Sequence, residues 1–294
     1  PDGWEHAAAA ALPTVYATVE VAFAELAGVK RGDRVLVHAA AGGVGLTAVQ
    51  FAARLGATVY ATAGADAKRA HLLELGVAGV ASSRHGDEFE AQMAALLGDA
   101  RFDVVLNSLT HDDFVGRSLR LLRPGGAFVE LGKRGIWTPE EVASARPDVQ
   151  YHVVALDTLC ETQPERFQRL LLGLAARMAD GAWDPLPSTA FEGMGAGIAA
   201  LQCLRKAQHI GKVVLTVPPR MRVRETGPYV LSGGTGDLGL AVARMLVEEG
   251  ARALVLLSRA GRPASPAAAA GADWEWLGRS TVALRALACD LSGD

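Results

Sequence analysis

"VLVHAAAGGVGLTAVQFAARLGATVYATAG", residues Val35–Gly64, reads as a strand, a glycine turn, a helix and a second strand. Ala40-Ala41-Gly42-Gly43-Val44-Gly45 fits the A-x-G-x-x-G form of the dinucleotide fingerprint. In that fingerprint the missing side chains let the backbone turn tightly and let a pyrophosphate reach the N–H groups at the helix start. A glycine pattern also suits a bare strand–helix turn. Here the strand before, the helix after and the second strand at the right distance supply the context a ligand site needs. Val44, Ala48, Phe51 and Leu55 fall on one helical face, which is expected to pack on a sheet.

The second strand ends Thr62-Ala63-Gly64, where a site for NAD carries Asp or Glu to hold the ribose hydroxyls. Lys68 follows just beyond, and Arg84 follows the next strand. Small residues with two cations make room for a 2′-phosphate and neutralise it, so NADPH is expected over NADH, with Asp66 as the one opposing charge.

Outward from this stretch the grammar repeats. "GVASS", "FDVVLNSL" and "AFVELGK" are short apolar strands, separated by helical runs such as "DEFEAQMAALLG" and "DFVGRSLRLLRPGG". Strands alternating with helices imply a doubly wound parallel α/β sheet of Rossmann type, placed at about 14–150. Upstream, "AAAAALPTVYATVEVAFAELAGV" reads as two helices interrupted at Pro13. The pattern breaks near Trp137, and residues 151–218 read as a smaller lobe: the strand-like "QYHVVALD", the helix "PERFQRLLLGLAARMADG", the loop "WDPLPSTAF", another helix, and the strand "GKVVLTV". "PPRMRVRETGP" is a charged, Pro-flanked linker, assigned to 219–228.

At Tyr229 the α/β grammar restarts. "YVLSGGTGDLGLAVARMLVEEGARALVLLSR" gives Gly234, Gly236 and Gly239 in fingerprint spacing, with Asp237 and Leu238 between the last two. Leu238, Val242 and Met245 share a helical face, and the second strand ends at Ser258-Arg259, again a cation where a 2′-phosphate would lie. "LRALACD" offers a third strand ending at Asp290, suited to an adenine amino group, after the low-complexity connection "PASPAAAAGAD". Two dinucleotide turns in 294 residues mean two adjoining nucleotide-binding units.

Composition excludes several classes. A net charge of −3 with no Lys/Arg-rich run gives no general attraction to nucleic acid or anionic membrane. Cys160, Cys203 and Cys289 lie far apart, forming neither a metal spacing nor a disulfide framework, which fits a reducing, cytoplasmic setting. The first apolar run meets Glu20 and Glu25 before the ~20 residues a membrane helix needs. The start at "PDGWEH", without Met, reads as a segment of a longer polypeptide.

Together, "VHAAAGGVGLTAVQFAARLGATVYATAG", "VASSR", "DVVLNSL", "LRLLRPGGAFVELGK" and "QHIGKVVLTV" resemble the enoylreductase domain of modular polyketide synthases, of the zinc-free medium-chain dehydrogenase/reductase group. The resemblance runs from about Ala11 to Val217, and Glu20 departs from it where an aromatic or apolar residue belongs. From Tyr229 onward the chain resembles the start of a ketoreductase catalytic domain of the short-chain dehydrogenase kind, and the run from "VVLTVPP" into "GPYVLSGGTG" resembles the boundary between the two reductases.

The resemblance implies that NADPH gives a hydride to the β-carbon of a 2-enoyl thioester on acyl carrier protein while a proton reaches the α-carbon. It implies Lys133 and Asp157 as the polar pair beside the nicotinamide, with Asp157 orienting Lys133 or sharing a proton relay through water. It adds Thr18, Ala41, Asn107, Ser108 and Gly132 as cofactor contacts, and a dimeric synthase as the assembly. It also implies a preceding lobe of roughly a hundred residues, carrying a tyrosine donor to which Tyr16 does not correspond, and ketoreductase catalytic residues later than Asp294. A free-standing quinone or enone reductase explains the first turn but not "GGTGDLG"; a silent nucleotide-binding scaffold explains both.

Overall fold

β1 (Arg34–Val37), β2 (Thr58–Ala63), β3 (Gly79–Ser82), β4 (Phe102–Asn107), β5 (Leu122–Glu130) and β6 (Gln150–Val153) pair in parallel in the order β3-β2-β1-β4-β5-β6. The computed structural model carrying them describes residues 4–181, 183–217, 223, 226–262 and 272–290. Parallel strands need long crossovers, and helices Gly43–Arg54, Asp66–Glu74, Gly86–Leu97 and Phe114–Leu121 supply them. Alternate residues of β1 feed opposite faces. Val35 and Val37 join one core with Leu46, Phe51, Tyr16 and Phe23, while Leu36 joins the other with Phe89, Phe114 and Phe128. The strand order reverses between β1 and β4, so a crevice opens at their C-terminal ends, where ligands of such sheets collect.

β6 moves the expected boundary. Gln150–Val153 pair with Ala127–Glu130, so the sheet runs past residue 150 to Val153.

Helix Gly43–Arg54 is covered almost all round, because the sheet lies on one side and the helix Pro13–Val19 on the other. Ala48 and Phe51 pack inward as expected, Val44 is half-buried, and Leu55, already the C-terminal cap, is 38% exposed. Pro13 opens its helix at the first position, where a missing N–H costs nothing, and a π-helical stretch Glu20–Leu26 continues it. Contrary to the sequence expectation, His6–Leu26 is long and apolar enough to cross a membrane by length and composition. Tyr16, Ala17, Val19, Ala22 and Phe23 are buried in the fold, and that burial accounts for the hydropathy.

Helix Pro164–Ala179 packs beside Pro13–Val19 and helix Leu156–Thr162 against Pro164–Ala179, while β7 (Ser188–Glu192) and β8 (Lys212–Thr216) form a separate parallel pair joined through helix Gly197–Lys206. The expected loop "WDPLPSTAF" is therefore partly strand. Its partner lies a whole crossover downstream, outside any local pattern.

The chain divides into two units, Pro1–Thr216 and Val217–Asp294. In the second unit β9 (Tyr229–Ser232), β10 (Ala253–Ser258) and β11 (Ala283–Ala288) pair in parallel in the order β11-β10-β9. Leu240, Ala243 and Leu246 of helix Asp237–Glu248 form its core with Leu254, Leu256 and Leu277. The face expected to pack is instead the outer one: Leu238 is 80% exposed and Met245 is also exposed, with Val242 half-buried. Both faces of this helix are apolar, so spacing alone could not choose between them. Most of the linker at 219–228, and of "PASPAAAAGAD", lies outside the described residues.

His38, directly after β1, is enclosed by Phe89 and Phe114, with Nε2 2.8 Å from Ser118 Oγ and Nδ1 3.2 Å from Thr62 Oγ1. Burial, reinforced by the charge of His111, pushes its pKa down to about 3. Below pH ~6.5 the unfolded chain takes up a proton that the folded imidazole refuses, so stability falls as pH drops from ~6.5 toward 3, by about 1.4 kcal/mol per pH unit. Urea unfolding at pH 7.5 and 5.5 should show that loss, and His38→Gln, though less stable at neutral pH, should show a smaller difference between the two.

Candidate active site

The C-terminal ends of β2, β1, β4, β5 and β6 lie in that order along one edge of the large sheet. From β2 to β5 is three strand spacings, about 14 Å, and the residues singled out from sequence are distributed along it.

At β1 the turn is built with three kinds of glycine. Gly42 caps helix Gly43–Arg54 with extended backbone (φ −82°, ψ 172°), and a Cβ there would touch only Ala39 O, at 3.5 Å. Gly45 is different: a Cβ would lie 2.4 Å from Ala40 Cα and 2.6 Å from its C and O, so this glycine lets the helix close on the strand. At Gly43 the space is occupied by Lys212, whose Cδ would lie 2.4 Å from a Cβ. Val44 follows on the first turn. Ala41 O accepts a hydrogen bond from Gly211 N at 2.8 Å. Ala39 holds a left-handed conformation (φ 48°), fixed by its N–H donating to Thr62 Oγ1 at 3.0 Å and by Ala40 N donating to Thr62 O at 3.0 Å. Thr62 is thus the anchor of the turn, and the sequence marks it only as small.

At β2 the expected group assembles. Arg84 Nε donates to Gly64 O at 3.3 Å, and a Cβ on Gly64 would lie 3.0 Å from that nitrogen. Lys68 Nζ donates to Ala207 O at 2.7 Å, and burial, with the neighbouring Arg84 charge, lowers its pKa. Asp66, the opposing charge, is engaged by Arg69.

At β5 and β6, Lys133 Nζ and Asp157 Oδ2 form an ion pair across 24 residues of sequence. Both side chains are more than half exposed. The Lys133 ammonium, aided by the Thr158 backbone N–H, holds the Asp157 carboxyl below its ordinary pKa. Beneath them Glu130 is fully buried, accepting from Asn107 Nδ2 and from Gly132 N, each at 2.6 Å, and burial raises its pKa. Glu130 ties the end of β4 to the loop bearing Lys133. Sequence reasoning missed this residue, although a carboxylate closing the apolar run "AFVELG" is a signal that could have found it.

Asn107 and Thr18, both expected to contact the cofactor, are also bonded within the fold. Asn107 Nδ2 also donates to Leu109 O at 3.1 Å and its Oδ1 accepts from Leu109 N at 3.2 Å, so its amide secures the turn. The Thr18 hydroxyl donates to Thr14 O within its own helix. Ser108 remains exposed at the rim, its Oγ 3.5 Å from His38 O. Gly132 is crowded: a Cβ would lie 2.8 Å from Glu130 Oε1. Glu20, the departure from the resemblance, is compensated by Arg177 at 2.9 Å, whose guanidinium lies 5.8 Å from the Tyr16 ring centroid.

In the second unit Gly233, Thr235, Gly236, Ser258, Arg259, Arg262 and Asp290 line a cleft of about 590 Å³. Gly234 and Gly239 serve packing, since a Cβ on Gly239 would lie 2.4 Å from Gly233 O. Asp237 opens the helix and is exposed, as is Leu238. Thr235 and Arg262 join the expected residues without a sequence signal of their own.

Two family models match, one described as zinc-binding dehydrogenase over residues 43–177 and one as KR domain over residues 227–294. A zinc ion does not fit the described residues, among which no three His, Cys, Asp or Glu side chains group to hold one. The chain is 42% identical over 99% of its length to mycoketide-CoA synthase of Mycobacterium tuberculosis, and 43% identical over 99% to pikromycin polyketide synthase component PikAII of Streptomyces venezuelae. It spans 7% and 8% of those relatives, respectively. The nucleotide-binding subdomain of the enoylreductase domain of PpsC from Mycobacterium tuberculosis superposes with TM-score 0.55 at 38% identity, covering 59% of this chain and 97% of that one. Mycobacterial Rv1454c complexed with NADPH superposes with TM-score 0.62 at 26% identity, covering 73% and 66%.

Proposed function

The chain belongs to the enoylreductase domains of polyketide synthases, with the start of a ketoreductase domain after it, and from that premise we propose that its first unit takes NADPH and reduces the double bond of a 2-enoyl thioester carried by acyl carrier protein. One observation supports this above the others. The sheet edge carries, in strand order, a cation pair at Gly64, a glycine turn at Gly42–Gly45 and an ammonium–carboxylate pair at Lys133 and Asp157.

Each cluster has one task. The backbone N–H groups at the start of helix Gly43–Arg54 receive the phosphates. Arg84 and Lys68 neutralise the 2′-phosphate, which NADH lacks. A reduced nicotinamide dinucleotide held this way supplies a hydride for the β-carbon. Lys133 Nζ carries the proton for the developing enolate, and Asp157, kept ionised, holds that nitrogen in place by the ion pair. Since both groups are exposed, solvent restores the proton after each turnover. In the second unit, Gly236, Ser258, Arg259 and Asp290 are the corresponding nucleotide contacts of the ketoreductase.

The direct test incubates the intact module with NADPH and either a crotonyl-type thioester or a quinone, following loss of NADPH absorbance. Turnover with the thioester alone supports this reading. Turnover with the quinone favours a quinone reductase, and no NADPH consumption favours a nucleotide-binding scaffold. Lys68→Ala and Arg84→Ala should each raise KM for NADPH about tenfold, about 1.4 kcal/mol, while leaving KM for NADH unchanged. A parallel rise for NADH would remove the 2′-phosphate role.

A further inference from the structure

The fingerprint requires glycine at 42 and 45 and nothing particular at 43, yet residue 43 is glycine. The structure gives the reason. A Cβ at 43 would lie 2.4 Å from Lys212 Cδ, 3.3 Å from Lys212 Cγ and 3.3 Å from Val15 Cγ1, so the methylene stem of Lys212 lies where a side chain would be. Lys212 begins β8, and its approach is fixed by the residue before it. Gly211 N donates to Ala41 O at 2.8 Å, and Gly211 bridges Gly42 in parallel. Gly211 has φ +74° and a Cβ there would lie 1.9 Å from Pro187 O, so no other residue fits. Two glycines far apart in sequence therefore admit one lysine to the turn.

The Lys212 ammonium makes no ion pair or side-chain hydrogen bond among the described residues. Lys68, by contrast, is engaged at Ala207 O. We propose that Lys212 is a diphosphate ligand of the first dinucleotide site, delivered across the turn by the smaller sheet; the proposal rests on reading that turn as a nicotinamide dinucleotide site. The chemistry is that of a cation on a clamped stem, beside a helix start whose N–H groups already favour an anion. It is separate from the task of Lys68 and Arg84. The diphosphate is common to NADPH and NADH, so Lys212 strengthens both coenzymes alike, while the other two cations choose between them.

The test titrates NADPH and NADH calorimetrically into the intact chain carrying Gly239→Val, which blocks the second turn. Lys212→Met keeps the stem and removes the charge, and should weaken both coenzymes about tenfold. Lys212→Arg should recover most of the loss. Gly43→Ala, which keeps the lysine and displaces its stem, should weaken both coenzymes in the same ratio. Unchanged affinity in Lys212→Met overturns the assignment, as does a loss seen with NADPH and absent with NADH. If the chain with native Lys212 takes up neither coenzyme, the reading of the turn itself fails, and the Lys212 assignment fails with it.

Discussion

Lys133→Ala in the intact module should lower kcat for enoyl thioester reduction by about a hundredfold or more, the range in which a positioned proton donor acts. The dissociation constant for NADPH should stay near that of the parent protein. The asymmetry follows from placement: Lys133 and its partner stand at the ends of β5 and β6, away from the cation pair at β2 and the turn at β1. Asp157→Asn should give a smaller loss, because it leaves the ammonium in place and removes only what holds it. Stopped-flow reduction with coenzyme binding measured in parallel separates the two effects. If Lys133→Ala weakens NADPH binding and leaves the bound rate intact, the proton role is wrong.

Gly45→Ala should be the most damaging single methyl within the Gly42–Gly45 turn. Its Cβ would press on the backbone of Ala40 at 2.4 Å, where no rotamer change can relieve it, so the turn must shift. Overpacking of this kind costs about 1–3 kcal/mol, and the displaced turn no longer presents its N–H groups to a phosphate. Gly42→Ala meets only an ordinary contact at 3.5 Å. It should keep the parent melting temperature and lose affinity alone. Thermal melts with and without NADPH read both quantities. Gly45→Ala should lower the melting temperature and abolish the NADPH-induced rise, and retention of that rise would show that the turn tolerates the shift.

The sequence is most informative where the pattern is local. The strands of the large sheet, both glycine turns and the cation pair beyond β2 follow from alternation, small residues and charge within a few tens of residues. The Lys133–Asp157 pair comes from resemblance, and its ion pairing depends on β5 and β6 being neighbours. What stays hidden needs a partner from elsewhere in the chain. Lys212 gains meaning only through Gly43, Thr62 only through Ala39, and β7 only through β8. Glu130 is visible as a charge ending an apolar strand, but its bond to Asn107 needs the strand order. The bonds of the Asn107 amide to that carboxylate and to Leu109 are hidden for the same reason.

The stitch between Gly211 and the turn at Ala41–Gly42 bears on how this reductase can move. Enzymes that close around a substrate usually bend where two bodies meet and few bonds cross. Here the smaller sheet is joined, through backbone, to the glycine turn of the larger one. Any closure that swings the smaller sheet away from the nucleotide fold has to break this backbone link first.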